Sequence, residues 1–237
     1  MIKINSALIL YFTALLLFII SVLIDSDNLE LFSKPIIIPS IYYFYYISVR
    51  GKINYLFSFS ILSFFIGEIL ILISAEDYLL LSLIALIIPY FIVFYFMLQD
   101  LIYYLKKRKI NLNVFSFYIF VMFLAYLLSN VLLMIFEENS LEFYIYVLYG
   151  VVLLFLGVLA FVMQINYTNK AILFAGLTIV CFIMSDLFFV FAKFSPDLMV
   201  LKAVNVITQE LSFFCYVNYF IFRTKFNFYG KKNSQDE

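Results

Sequence analysis

The chain has 237 residues, 66% of them hydrophobic and only 13% charged, with a mean hydropathy of +1.09. That composition excludes a soluble globular protein and matches a polytopic membrane protein. Fifteen Lys and Arg balance fifteen Asp and Glu, so the distribution of charge says more than its sum.

Eight apolar runs, at 6–24, 32–49, 55–74, 78–100, 112–135, 141–163, 171–193 and 198–222, approach the roughly 20 residues needed to cross a hydrocarbon core as a helix. Period-2 alternation is absent, which argues against a barrel. The predicted architecture is an all-α bundle of about eight transmembrane helices in one domain, 1–222, with a short basic and polar tail, 223–237. Lys3 precedes the first run, but no small-x-small cleavage site separates it from "DSDNLE", so it reads as a retained first span.

The second run opens on Lys34. The third, "FFIGEILILIS", carries Glu68, and the fourth, "LIALIIPYFIVFYF", is interrupted by Pro89. The fifth run holds no charge and the sixth only Glu142, at its second position. The seventh carries Asp186 in "CFIMSDLFFVFAKF" and ends on Lys193, two turns along the same face. Along the eighth, Lys202, Asn205, Gln209, Ser212 and Tyr216 recur at helical spacing as a polar stripe, with Glu210 beside it. Cys181 and Cys215 lie mid-span and form no disulfide framework.

Cytoplasmic loops hold an excess of Lys and Arg. Twelve of the fifteen fall on the side shared by both termini, and only Lys34, Lys193 and Lys202 fall on the other, which also holds Asp25, Asp27 and Glu30. Both termini are therefore expected in the cytoplasm. The "KKRK" run at 106–109 reads as a topology determinant rather than a nucleic-acid patch, and no nucleic-acid partner is expected. A reporter active only outside the membrane should be silent when fused at Lys107 and active at Glu138; the reverse pattern would invert the orientation.

Glu68, Asp186 and Glu210 remain as acids inside spans. Each costs about 2.5–3.5 kcal/mol at the bilayer centre on insertion scales, so such residues face a bundle interior and usually mark a function. A structural network with tyrosine donors is the alternative. At a helical rise of ~1.5 Å per residue Glu68 lies roughly 20 Å and Asp186 roughly 22 Å from the cytoplasmic side, at one level in the outer half. A polar cavity there would satisfy both acids together with Lys34, Lys193 and Lys202, and its cations could meet a phosphate.

"SKPIIIP" in the second run, "IGEIL" in the third and "AGLTIVCFIMSDLFF" in the seventh resemble the YhhN-like lysoplasmalogenases, eight-span enzymes that hydrolyse the vinyl ether bond of lysoplasmalogens. The likeness runs from about Phe32 to Phe222 and aligns Lys34, Gly67, Glu68, Gly176, Ser185 and Asp186 with the family's motifs. Where the family usually has a Ser-His pair, this chain has Pro89 and Tyr90, and its eighth-span pattern is replaced by "ITQELSFF".

The resemblance implies a hydrolase of the bacterial cytoplasmic membrane acting on a lysophospholipid, with Glu68 and Asp186 catalytic; together with the polar cavity read from the residues, Lys34, Lys193, Lys202, Gln209 and Glu210 are expected to bind substrate. No cofactor and no metal are expected. One carboxyl would donate a proton and the other stay ionised; Lys193, on the same helix face as Asp186, favours Asp186 as the anion. Two other expectations are a non-catalytic lipid-binding relative and a small proton-coupled transporter.

Overall fold

A computed structural model describes residues 5–106, 114–135, 141–194 and 198–233. Lys3, Lys107, Arg108, Lys109, Glu137, Glu138 and Asp197 lie outside the described residues. The protein is all α: α1 (Ser6–Leu23), α2 (Asp27–Ser48), α3 (Tyr55–Ile73), α4 (Ala75–Leu105), α5 (Val114–Ile135), α6 (Leu141–Asn166), α7 (Lys170–Phe194) and α8 (Met199–Asn233), with no strand among the described residues. Seven of them are long and apolar enough to cross a membrane, making this an integral multi-pass membrane protein. The exception is α2.

That helix begins at Asp27, five residues before the apolar run, and so takes in Asp27, Glu30 and Lys34. The two acids fall in its first turn, where the positive end of the helix dipole favours them. Buried Ile37, Ile41 and Tyr45 hold its far half against the bundle, despite Pro35 and Pro39 inside the helix. The eighth helix also overruns its expected span, running on to Asn233.

Side-chain caps mark several helix starts. Asn5, Asn54, Ser74 and Asn169 accept hydrogen bonds from the backbone N–H of Ala7, Phe57, Asp77 and Ala171, satisfying donors that a helix start leaves open. Gly51, at φ +75°, turns the chain from α2 into α3.

The helices pack chiefly as the hairpins α1–α2, α3–α4 and α7–α8, with α8 also touching α1 and α2, and α6 joining α4 and α5 to α7. Phe57 and Phe220 stack at 4.2 Å between centroids and Phe96 meets Phe220 at 4.7 Å, so α3, α4 and α8 share one aromatic core. Contacts fix the helix directions. Phe57 faces Phe220 while Glu68 faces Gln209, so α3 and α8 are antiparallel; Phe96 and Asp100 lie beside Phe220 and Arg223, so α4 and α8 are parallel.

Near the basic face, Asp100 ties α4 to α8. Arg223 Nε donates to its carboxylate at 2.8 and 3.0 Å, Tyr219 donates at 2.6 Å, and the Arg223 guanidinium lies 4.7 Å from the Phe96 ring centre. This acid sits at the last position of the fourth apolar run and reads there as a boundary; α4 continues to Leu105 and encloses it.

Candidate functional site

A cavity of about 350 Å³ lies between the helices, reaching the α1–α2 turn at Asp25 and Asp27. Its walls divide by chemistry. Lys34, Glu68, Asp186, Lys202 and Gln209 supply a polar side, and Leu124, Leu128 and Val131 of α5 with Leu153 and Leu154 of α6 supply an aliphatic one.

The polar side is built around Glu68, which is 3% exposed. Lys34 Nζ lies 3.2 Å from Glu68 Oε2, the side chains being 9% and 4% exposed, and the Gln209 amide donates to Glu68 Oε1. Helical spacing of four puts Glu30 on the Lys34 face, 3.9 Å from the ammonium. Phe18 of α1 offers its ring 5.4 Å from the same nitrogen. One cation thus links α1, α2, α3 and, through Glu68, α8.

The preceding Gly67 permits this geometry. A Cβ there would stand 2.6 Å from Leu86 Cγ and 3.3 Å from the Ser82 carbonyl, so only glycine lets α4 approach α3 this closely beside Glu68.

Asp186 has a different environment. The Tyr90 hydroxyl donates to both its oxygens, at 3.1 and 3.0 Å, and the Tyr90 ring is stacked on Phe182 at 4.6 Å. The neighbouring Ser185 hydroxyl donates to Asn205 Oδ1 at 3.0 Å, joining α7 to the polar stripe of α8. Tyr149 caps the arrangement by donating to the Leu83 carbonyl at 2.8 Å, its ring edge-on to Tyr90.

Five of the seven residues expected at the site line this cavity: Lys34, Glu68, Asp186, Lys202 and Gln209. Lys193 does not. It shares a helix face with Asp186 but lies two turns further along, roughly 10 Å, and its ammonium rests 5.7 Å from the Tyr146 ring centre at the exposed end of α7. The cation beside a carboxylate is therefore Lys34, and the carboxylate it meets is Glu68 rather than Asp186.

Glu210 also stays out of the cavity lining. One residue rotates a helix by about 100°, and with Gln209 on the cavity Glu210 falls on another face, 1% exposed, where its backbone carbonyl accepts the Tyr11 hydroxyl of α1. Its Oε2 has no hydrogen-bond partner among the described residues.

Tyr90 is the participant missing from the expected site residues. Twenty tyrosines dilute any one of them as a signal, and the sequence marked it only as standing, with Pro89, where the resembled family has its Ser-His pair. Among the described residues no group of three or more His, Cys, Asp or Glu is placed to hold a metal ion. No family model, curated protein or solved structure matches the chain.

Proposed function

We propose that the cavity is the site of a membrane-embedded hydrolase that cleaves the vinyl ether bond of lysoplasmalogens, releasing a fatty aldehyde and a glycerophospho-alcohol. The observation that carries this reading is the pairing of two unlike carboxyls on one amphiphilic cavity: Glu68 held by a lysine and an amide, Asp186 held by a phenol. The choice of a vinyl ether among acid-labile bonds rests on the motifs around Lys34, Glu68 and Asp186.

Glu68, with the Lys34 ammonium 3.2 Å away, is assigned the part of the anion. Asp186 has a tyrosine as its hydrogen-bond partner, which suits the proton donor, because the phenol can stabilise the carboxylate left behind. The assignment is thus the reverse of the one that Lys193 suggested.

In the reaction Asp186 gives its proton to the β-carbon of the vinyl ether, and the electron pair of the double bond forms the new C–H bond. The oxocarbenium ion so formed is stabilised by the Glu68 carboxylate, a division of labour used by glycosidases for a related cation. Water adds to the cationic carbon as Glu68 takes its proton, giving a hemiacetal. Collapse returns the hydroxyl proton to Asp186 while the departing alkoxide takes the proton from Glu68, so both carboxyls end as they began.

Purified protein incubated with vinyl ether, alkyl ether and acyl lysophospholipids should release fatty aldehyde from the first, nothing from the second and no fatty acid from the third. Release of fatty acid from the acyl lipid, or of no aldehyde from any vinyl ether, would refute the reading.

A second reading, a non-catalytic lipid-binding protein, is favoured by one observation. Both oxygens of Glu68 are already engaged, by Lys34 and Gln209, as in a structural network. Saturable lysolipid binding without aldehyde release would establish it.

A further inference from the structure

We propose that Leu128, seated against Gly150, sets how much alkyl chain the cavity accepts; this rests on the reading of the cavity as a lysolipid site. The polar side, from α2, α3, α7 and α8, would hold the reacting end of the lipid, so the chain runs to the aliphatic side formed by α5 and α6. Leu128 and Gly150 face each other across that side, and both line the cavity.

The contact is unusually close. A Cβ on Gly150 would stand 2.0 Å from Leu128 Cδ1, far inside any real separation, so the side chain of Leu128 occupies space that every other residue type at 150 would fill. The atom in the way is the free end of the Leu128 side chain, so a methyl at 150 would displace that end, and both residues line the cavity.

The neighbouring contact differs in kind. Leu124 is the buried residue of α5 among those described, seated where a Cβ on Gly157 would be 2.7 Å away, and it anchors the helix. Leu128, one turn on, is only partly buried. Phe115, Met122, Tyr126 and Leu133 on the remaining faces of α5 are exposed apolar side chains suited to lipid. The helix is thus a thin wall between bilayer and cavity, and a change at Leu128 is transmitted to the cavity rather than absorbed by surrounding core.

Lipid chains are as apolar as leucine, so selection among chain lengths cannot come from burial alone and has to come from shape. Saturated alkyl ether lysolipids of graded length, which the proposed chemistry leaves intact, provide the probe, measured by displacement of a fluorescent single-chain amphiphile. Gly150→Ala should lower the long-to-short affinity ratio by roughly tenfold, the scale of overpacking a filled volume. Leu128→Ala should raise it, and the double variant should return toward the wild-type profile because the added methyl fills what the leucine vacates.

Should Gly150→Ala fail to fold, the opposite-signed change in Leu128→Ala alone decides. An unchanged chain profile in Leu128→Ala overturns the proposal even if aldehyde release is confirmed. Graded binding that shifts in the variants without aldehyde release overturns the hydrolase reading and leaves the chain seat standing. No saturable binding of any chain length by the wild type overturns both.

Discussion

Glu68→Gln and Asp186→Asn should each lower aldehyde release by roughly 10²- to 10⁴-fold, the range that general acid–base groups contribute. The two carboxyls line one cavity and act at successive stages on the same carbon–oxygen system, so the double variant should cost little more than either single one. Tyr90→Phe should have a smaller effect, roughly 10- to 100-fold, because it removes one hydrogen bond to the carboxylate that forms on Asp186 and leaves the proton donor itself in place. Single-turnover release of aldehyde from a vinyl ether lysolipid measures all of these. Near-normal release in both carboxamide variants would remove the paired-carboxylate mechanism.

Lys34→Met should destabilise the bundle by about 3–5 kcal/mol, the cost of leaving one member of a buried ion pair without its partner. Methionine preserves most of the side-chain volume, so the loss reports charge rather than packing. Glu68 would keep only the Gln209 amide, in a position 3% exposed. Glu68→Gln should cost less, because Lys34 retains Glu30 at 3.9 Å. The double variant Lys34→Met with Glu68→Gln should recover much of the loss, since no unpaired buried charge remains between α2 and α3. Chemical unfolding in mixed micelles checks the order of the three; a Lys34→Met protein as stable as the wild type would show that the ion pair does not hold α2 to the bundle.

The membrane class, the helix positions and the two acids were legible in the sequence for one reason: a hydrocarbon solvent penalises unpaired polar groups so heavily that helix length and the placement of charge become nearly one-dimensional properties. Counting rise along two similarly directed helices put Glu68 and Asp186 at one depth, and both line the same cavity. The acidic first turn of α2 was harder to see, because Asp27 and Glu30 read as loop until the helix dipole and the Lys34–Glu30 contact are in view.

Rotation about each helix axis and the choice of neighbours were decided only by tertiary packing. Lys193 is on the correct face of α7 for Asp186, yet it stands two turns further along, with its ammonium against the Tyr146 ring. Gln209 and Glu210 are adjacent in sequence, but the packing of α8 puts the amide on Glu68 and the acid outside the cavity. Tyr90 meets Asp186 across 96 positions of sequence, a pairing that no local period encodes. Helical spacing says which residues share a face; where those faces come close enough to meet is set by side-chain volume, as the missing Cβ at Gly67 shows for α3 against α4, and that exists only in the assembled bundle.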